Sequence, residues 1–186
     1  MEQKKQKLRG LFKQILKEMN LDLENEHLIE TPDRIAKSWI NDFFCGVYSE
    51  PPKLKTFKNP GYDELIIVKG IRDFSMCAHH FVTFEVTVSI GYLPDKKLLG
   101  LSKFARVVKY FCRRPQVQER LSNDIANYLD EHLQPKFLMV VIEGRHLCMC
   151  ARGIERDGKM ITSAIRGRER EPDWKSLKEE FLRLIK

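Results

Sequence analysis

The period of apolar positions changes several times along the chain, and each change marks a predicted element. Between Val82 and Tyr92, apolar side chains occupy every second position and mostly polar ones lie between them. A period of two predicts a strand with one buried face. Two apolar runs, "ELIIVKG" and "KFLMVVIEG", predict buried strands, and "MITSAIRG" predicts a fourth strand.

Helical spacing dominates most of the remaining sequence. It predicts helices at the N-terminus, after Thr31, from about Ser102, after Pro115 and in the tail from Asp173. The order is two helices, two strands, two helices, two strands and one helix. This order predicts an α+β fold with a four-stranded antiparallel sheet and helices on one face. We divide the chain into an N-terminal helical segment, residues 1–48, and a sheet-bearing domain, residues 49–186. The second part is expected to form one structural unit.

Composition narrows the class of protein. Hydrophobic residues make up 42% and charged residues 32% of the chain, which is ordinary for a soluble globular protein. No apolar run approaches the length of a membrane span, and the N-terminus lacks signal-peptide features. We therefore expect a cytoplasmic protein without membrane contact. The net charge of +7 suits an anionic partner, but it does not separate nucleic acid from a phosphorylated metabolite.

Two segments carry residues that bind metals. The stretch "SMCAHHFVTF" contains Cys77, His79 and His80, while "EGRHLCMCARG" follows an apolar strand and offers His146, Cys148 and Cys150. Five cysteines without a secretory signal indicate reduced thiols rather than a disulfide framework. Because side chains alternate in an extended chain, we expect residues 146, 148 and 150 to share one side.

Two kinds of metal site are open at this point. A closed structural site would use four ligands: Cys77, His80, Cys148 and Cys150. A three-ligand site would leave one position for water, whose pKa zinc lowers toward neutrality. The histidines at 79 and 146 would then carry protons. The alternative to both is that no metal is bound and the spacing arose by chance, since buried free cysteines are common. Two other cysteines, Cys45 and Cys112, lie at core positions of predicted helices.

Six motifs, in this order, resemble those of the GTP cyclohydrolase I family, which opens the guanine ring of GTP to make dihydroneopterin triphosphate. They span about residues 30 to 167: "ETPDRIAKSW", "CAHHFVTF", "GYLPDKKLLGLSKFARVV", "RRPQVQERL", "HLCMCARGI" and "ITSAIRG". The resemblance implies a tunnelling fold (T-fold), in which sheets assemble into pentameric rings that pair as a homodecamer with active sites between subunits. It also implies GTP as substrate, Zn²⁺ as cofactor, and no nucleic-acid partner.

The resemblance implies a role for each matching residue. The zinc ligands are Cys77, His80 and Cys148, which leaves Cys150 outside the site. The catalytic histidines are His79 and His146. Guanine recognition falls to Gln118 and Glu119. The triphosphate contacts are Ser102, Lys103, Arg106 and Arg152. The basic residues lent to a neighbouring subunit are Lys37 and Arg34.

The chemistry of these residue types agrees with the implied roles. A carboxylate at Glu119 accepts two hydrogen bonds from the N1–H and 2-amino edge of guanine, a donor pattern that adenine lacks. Lys103 and Arg106 are three residues apart and share one helix face, close to a helix N-terminus that favours phosphate. Without the resemblance, that face would be interpreted as a solvated basic surface.

One position departs from the family pattern. The family has Cys-Glu-His-His where this chain has Ala78 after Cys77. A first alternative is therefore a paralogue that acts on a related purine nucleotide or stops at ring opening. A second is a structural zinc protein that binds nucleic acid, for which Cys150 would be the fourth ligand. Most aromatic residues lie at core periods, which counts against the second alternative.

Overall fold

A computed structural model of the chain describes residues 1–167 and 174–186. The N-terminal segment is helical, as expected: α1 is Glu2–Glu18, α2 is Thr31–Ser38, a π-helical turn covers Trp39–Phe43, and α3 is Cys45–Tyr48. Pro32 lies in the first turn of α2, where its missing N–H removes no helical hydrogen bond. The predicted start of the last helix at Asp173 lies outside the described residues.

Seven strands follow the helical segment in the part of the chain that the structure describes. They are β1 Thr56–Lys58, β2 Ile66–Cys77, β3 Thr83–Leu93, β4 Lys97–Leu99, β5 Pro115–Gln116, β6 Phe137–His146 and β7 Lys159–Arg166. The main sheet has the order β5-β2-β3-β6-β7, and β1 pairs with β4 separately. The four long strands are antiparallel, which confirms the predicted sheet, while β5 adds a short parallel pairing to β2. Strands of two or three residues leave no periodic signal, so β1, β4 and β5 were not predicted.

The described residues after the N-terminal segment also form four helices: α4 is Leu101–Cys112, α5 is Gln118–Leu133, α6 is Leu147–Cys150 and α7 is Trp174–Ile185. Helices α4 and α5 cover one face of the sheet and bury the alternating apolar positions of β3. The last helix packs on the opposite face, where Phe181 contacts Phe137, Met139 and Val141. The expected one-sided arrangement therefore holds for α4 and α5 but not for α7. The architecture, two strands, two helices and two strands around an antiparallel sheet, agrees with the implied tunnelling fold.

The topology brings the two metal-binding segments to one end of the sheet. Strand β2 ends at Cys77 and turns back into β3, in which Phe84 is paired with His146 at the end of β6. Helix α6 begins at the next residue and carries Cys148. Within the described residues, no helix has the length and apolar character needed to cross a bilayer.

Candidate metal centre and its surroundings

A tight turn shapes the first metal-binding segment. The backbone N–H of Cys77 donates to the carbonyl of Val82 at 2.9 Å, and that of Phe81 donates to the carbonyl of Cys77 at 2.9 Å. The N–H of Ala78 donates to the carbonyl of Gln116 at 3.0 Å, which ties the turn to β5. As a result His80 folds back onto the strand end, and its Nδ1 lies 3.6 Å from the Cys77 Sγ.

The turn also depends on an unusual backbone conformation. Phe81 has φ of 52°, in the left-handed region that bulky residues rarely adopt. Its ring packs between two aromatic residues of the N-terminal segment, with centroid distances of 5.6 Å to Trp39 and 5.6 Å to Phe44. Packing of this kind offsets the cost of the backbone conformation.

Three side chains from the two segments converge. The ligand atoms of Cys77, His80 and Cys148 all lie within 4.8 Å of one another. The expectation of an extended chain through residues 146–150 is wrong, because Leu147–Cys150 forms a helical turn. The turn separates the two cysteines, and Cys150 Sγ donates instead to Asp157 Oδ1 at 3.4 Å.

The donor set fits a zinc ion. Two thiols and an imidazole are the ligands that zinc prefers. Burial raises the pKa of the Cys148 thiol, and the neighbouring Cys77 raises it further, while the charge of Arg152 acts in the opposite direction. A bound cation would relieve the repulsion between two thiolates held this close. Among residues 1–167 and 174–186, Cys150 does not belong to the cluster, so the four-ligand arrangement of the sequence analysis is not formed.

His146 lies beside the cluster in a defined orientation. Its ring stacks on Phe84 with a centroid distance of 4.4 Å and an interplanar angle of 6°. Its Nε2 lies 2.9 Å from Oε1 of Gln118. Burial lowers the pKa of His146, partly opposed by the carboxylate of Glu119. The ring is therefore biased toward the neutral form, which suits a proton acceptor.

Gln118 occupies a different environment from the one its predicted role suggests. Its side chain is buried, and its amide nitrogen lies 3.0 Å from the carbonyl oxygen of Ile142 and 2.9 Å from that of Met160. The amide is thus engaged within the protein, while the next residue, Glu119, is exposed. Of the two residues predicted to recognise guanine, only Glu119 has a side chain free to contact a substrate.

Of the remaining predicted residues, His79 lies next to the cluster, whereas α4 begins beyond the opposite end of β3 and α2 belongs to the N-terminal segment. His79 is exposed beside His80, with ring centroids 6.1 Å apart. The three predicted phosphate contacts on α4 lie in its first two turns: Ser102, Lys103 and Arg106. Arg34 and Lys37 are exposed on α2, and Arg34 pairs with Glu30 at 2.6 Å. The predicted contribution of α2 to a neighbouring subunit stays a prediction.

Comparison with known proteins decides the family. The model of the GTP cyclohydrolase I family matches residues 8–186. The chain belongs to the GTP cyclohydrolase I family. The GTP cyclohydrolase 1 of Wolinella succinogenes is 42% identical over 170 residues, covering 90% of each chain. That of Aquifex aeolicus is 41% identical over 190 residues, covering 98% of this chain and 97% of the relative. The family membership that the six motifs predicted is therefore confirmed.

Solved structures give a weaker match. The archaeosine synthase QueF-Like in its apo form aligns with a TM-score of 0.45 at 18% identity, covering 55% of this chain and 95% of that chain.

Three residues that shape the site were not singled out in the sequence: Phe84 stacks on His146, Phe81 anchors the metal-bearing turn, and Gly144 leaves room for the Gln118 amide. Phe84 was visible only as a core position of β3, and Phe81 only as part of a motif. Gly144 gave the clearest signal, because a glycine inside a strand often marks the close approach of another group.

Proposed function

We propose that the protein converts GTP and water to 7,8-dihydroneopterin triphosphate and formate, the first step of pterin biosynthesis. The observation that carries the proposal is the three-ligand cluster of Cys77, His80 and Cys148, flanked by His79 and His146, in a chain that belongs to the GTP cyclohydrolase I family. In this reaction one water opens the imidazole ring, a second releases formate, and ring closure to the pterin returns one water.

The cluster would hold Zn²⁺ through the two thiolates and the imidazole. When bound, zinc lowers the pKa of water and polarises a carbonyl oxygen. The hydrogen bond from Cys150 to Asp157 supports a site with three protein ligands, because it directs the one further nearby thiol away from the cluster.

Charged and polar side chains would bind the nucleotide. Glu119, exposed at the start of α5, would accept hydrogen bonds from N1–H and the 2-amino group of guanine. The proposed triphosphate contacts are Ser102, Lys103 and Arg106 of α4 and Arg152 after α6. Within one chain, α4 begins beyond the end of β3 that is remote from the cluster, so its three residues would serve a site shared between subunits. Arginine and lysine suit this part of the substrate because it carries several negative charges.

The two histidines would transfer protons at different steps of the reaction. His79 would donate a proton to N7 of guanine as the oxygen of water adds to C8, which converts the C8=N7 double bond to a single bond before the ring opens. His146, biased toward its neutral form by burial, would accept and return a proton at a later step or orient a water molecule.

We further propose that the protein is a homodecamer of two pentameric rings. The outer edge of β7 has no strand partner among the described residues, and β5 covers only the end of β2, at Met76 and Cys77. Free sheet edges of this length favour association with further copies. Light scattering should give a particle of ten 21.9-kDa chains, and a monomer would contradict the assembly.

A direct assay tests the function. Purified protein loaded with zinc is incubated with GTP, and the products are followed as formate and as fluorescent pterin after oxidation. Formate and pterin should appear in equal amounts, and ATP in place of GTP should give neither. Absence of formate from GTP in zinc-loaded, folded protein would overturn the proposal.

A second candidate function rests on Ala78. The backbone N–H of this residue is bonded to Gln116 within the metal-bearing turn, so its methyl group stands where the family has a carboxylate next to a ligand. If that carboxylate serves a later step, the protein would open the ring and release little pterin. Comparing Ala78→Glu with the parent protein separates the two functions. Equal formate and pterin in both variants supports the complete reaction, whereas a gain in pterin alone supports the second candidate.

A further inference from the structure

We propose that Gln118 is a positioning residue for His146 and holds it as the tautomer protonated on Nε2. The kinetic part of this inference rests on the proposed function. It begins from the position of Gln118, which is the first residue of α5 and is only 1% exposed, with its side chain reaching across to the end of β6.

The hydrogen bonds of Gln118 fix the orientation of its amide group. The amide nitrogen donates to the carbonyl oxygens of Ile142 and Met160 and lies 3.2 Å from Thr162 Oγ1. A carbonyl oxygen only accepts, so the NH₂ group must face these two carbonyls. The other end of the amide, Oε1, is therefore the atom directed at His146.

This orientation determines where the imidazole proton resides. Oε1 is an acceptor, so the 2.9 Å contact requires that His146 Nε2 carries the hydrogen. In the neutral ring, Nδ1 is then the basic nitrogen available for proton exchange. Stacking on Phe84 fixes the plane of the ring, and the bond to Gln118 fixes its rotation within that plane.

Gly144 provides the space that this arrangement needs. A Cβ atom at position 144 would lie 2.0 Å from Oε1 and 2.9 Å from Cδ of Gln118. Real Cβ atoms essentially never make contacts shorter than 3 Å, so a side chain at this position would force the Gln118 amide to shift. Substitutions at Gly144 and at Gln118 are therefore expected to have the same effect on His146.

The first test separates positioning from substrate binding. Gln118→Met keeps the length of the side chain and removes its polar atoms. Because general acid–base catalysis contributes about 10²–10⁴-fold, loss of orientation should lower kcat by about 10–100-fold with little change in KM for GTP. A rise in KM with unchanged kcat would instead indicate direct contact with the substrate and would overturn the proposal.

A double-mutant cycle shows whether Gln118 acts through His146. In a His146→Ala background, adding Gln118→Met should change kcat less than about twofold, because the residue that it positions is already absent. Independent, multiplicative losses would contradict the inference. If the parent protein releases no formate, the proposed function fails, and the tautomer must then be determined spectroscopically.

That measurement is ¹⁵N NMR of histidine-labelled protein, with His146 assigned by its loss in His146→Ala. The protonated ring nitrogen of His146 should be Nε2 in the parent protein, and this preference should be lost in Gln118→Met. Protonation on Nδ1 in the parent protein would overturn the inference independently of any activity.

Gly144→Ala should reproduce the loss of kcat seen in Gln118→Met. The matched control is Gly91→Ala, in the same sheet, where a Cβ atom would lie 2.4 Å from the ring of Phe181. Both variants are overpacked and are expected to unfold at lower temperature, but only Gly144→Ala should change kcat of the folded enzyme or the His146 tautomer. Equal kcat values in the two variants would contradict the role given to Gly144.

Discussion

The ring of Phe81 packs against the indole of Trp39 with a centroid distance of 5.6 Å, and this contact joins the metal-bearing turn to the N-terminal helices. Trp39 in turn contacts Phe12 of α1 at 5.0 Å and Phe44 at 5.2 Å. The N-terminal segment therefore supports the conformation of the turn that presents His79 and His80. The domain boundary at residue 48 stays a prediction, and aromatic contacts from Trp39 and Phe44 to Phe81 cross it.

Replacing Trp39 should weaken both folding and metal binding. Trp39→Ala removes the packing around Phe81, so the free energy of unfolding should fall by about 2–4 kcal/mol. The less constrained turn should also release zinc to a competing chelator more readily. Tyr48→Ala serves as the control, because Tyr48 is an exposed residue of the same segment and contacts Lys4. Equal zinc affinity in the Trp39 variant and the parent protein would contradict the supporting role.

Glu119 should control the choice of base. Glu119→Gln replaces a carboxylate, which only accepts hydrogen bonds, with an amide. The NH₂ group of the amide would face the N1–H and 2-amino groups of guanine, which are donors themselves. We expect kcat/KM for GTP to fall by about 100-fold or more. Glu131→Gln is the matched control, since Glu131 is exposed near the other end of α5. Steady-state formate release measures both variants, and an unchanged kcat/KM in Glu119→Gln would remove this residue from guanine recognition.

Lys37 should act in the site of a neighbouring subunit. Lys37→Ala and Cys148→Ser would each impair the enzyme alone, but a mixed oligomer would contain some sites with both residues intact. Coexpression of the two variants should therefore restore part of the formate release. No restoration in mixed oligomers that are verified by mass spectrometry would indicate that Lys37 serves the site of its own chain or no site.

The sequence predicted the long elements well, for a physical reason. Alternation in β3 and the apolar run in β6 report burial directly, so the sheet and the meeting of Cys77 with Cys148 could be expected before the structure was known. The local geometry could not be predicted in the same way. A four-residue helical turn after His146 has no periodic signal, yet it alone separates Cys148 from Cys150.

Gln118 shows a second limit of sequence reasoning. Beside Glu119 it has the appearance of a polar residue at an exposed helix start, whereas its amide is buried against Ile142 and Met160. Its environment is created by Ile142 of β6 and Met160 of β7, which lie 24 and 42 residues away in the sequence. The one sign of this long-range contact in the sequence was Gly144, a glycine inside a strand.

The central claim is that one ion is held by Cys77, His80 and Cys148 and that Cys150 takes no part. Comparing Cys148→Ser with Cys150→Ser tests it most directly, by elemental analysis of zinc per chain together with formate release from GTP. We predict about one zinc per chain and normal turnover in Cys150→Ser, with both lost in Cys148→Ser. Loss of zinc and turnover in Cys150→Ser, or retention of both in Cys148→Ser, would contradict it.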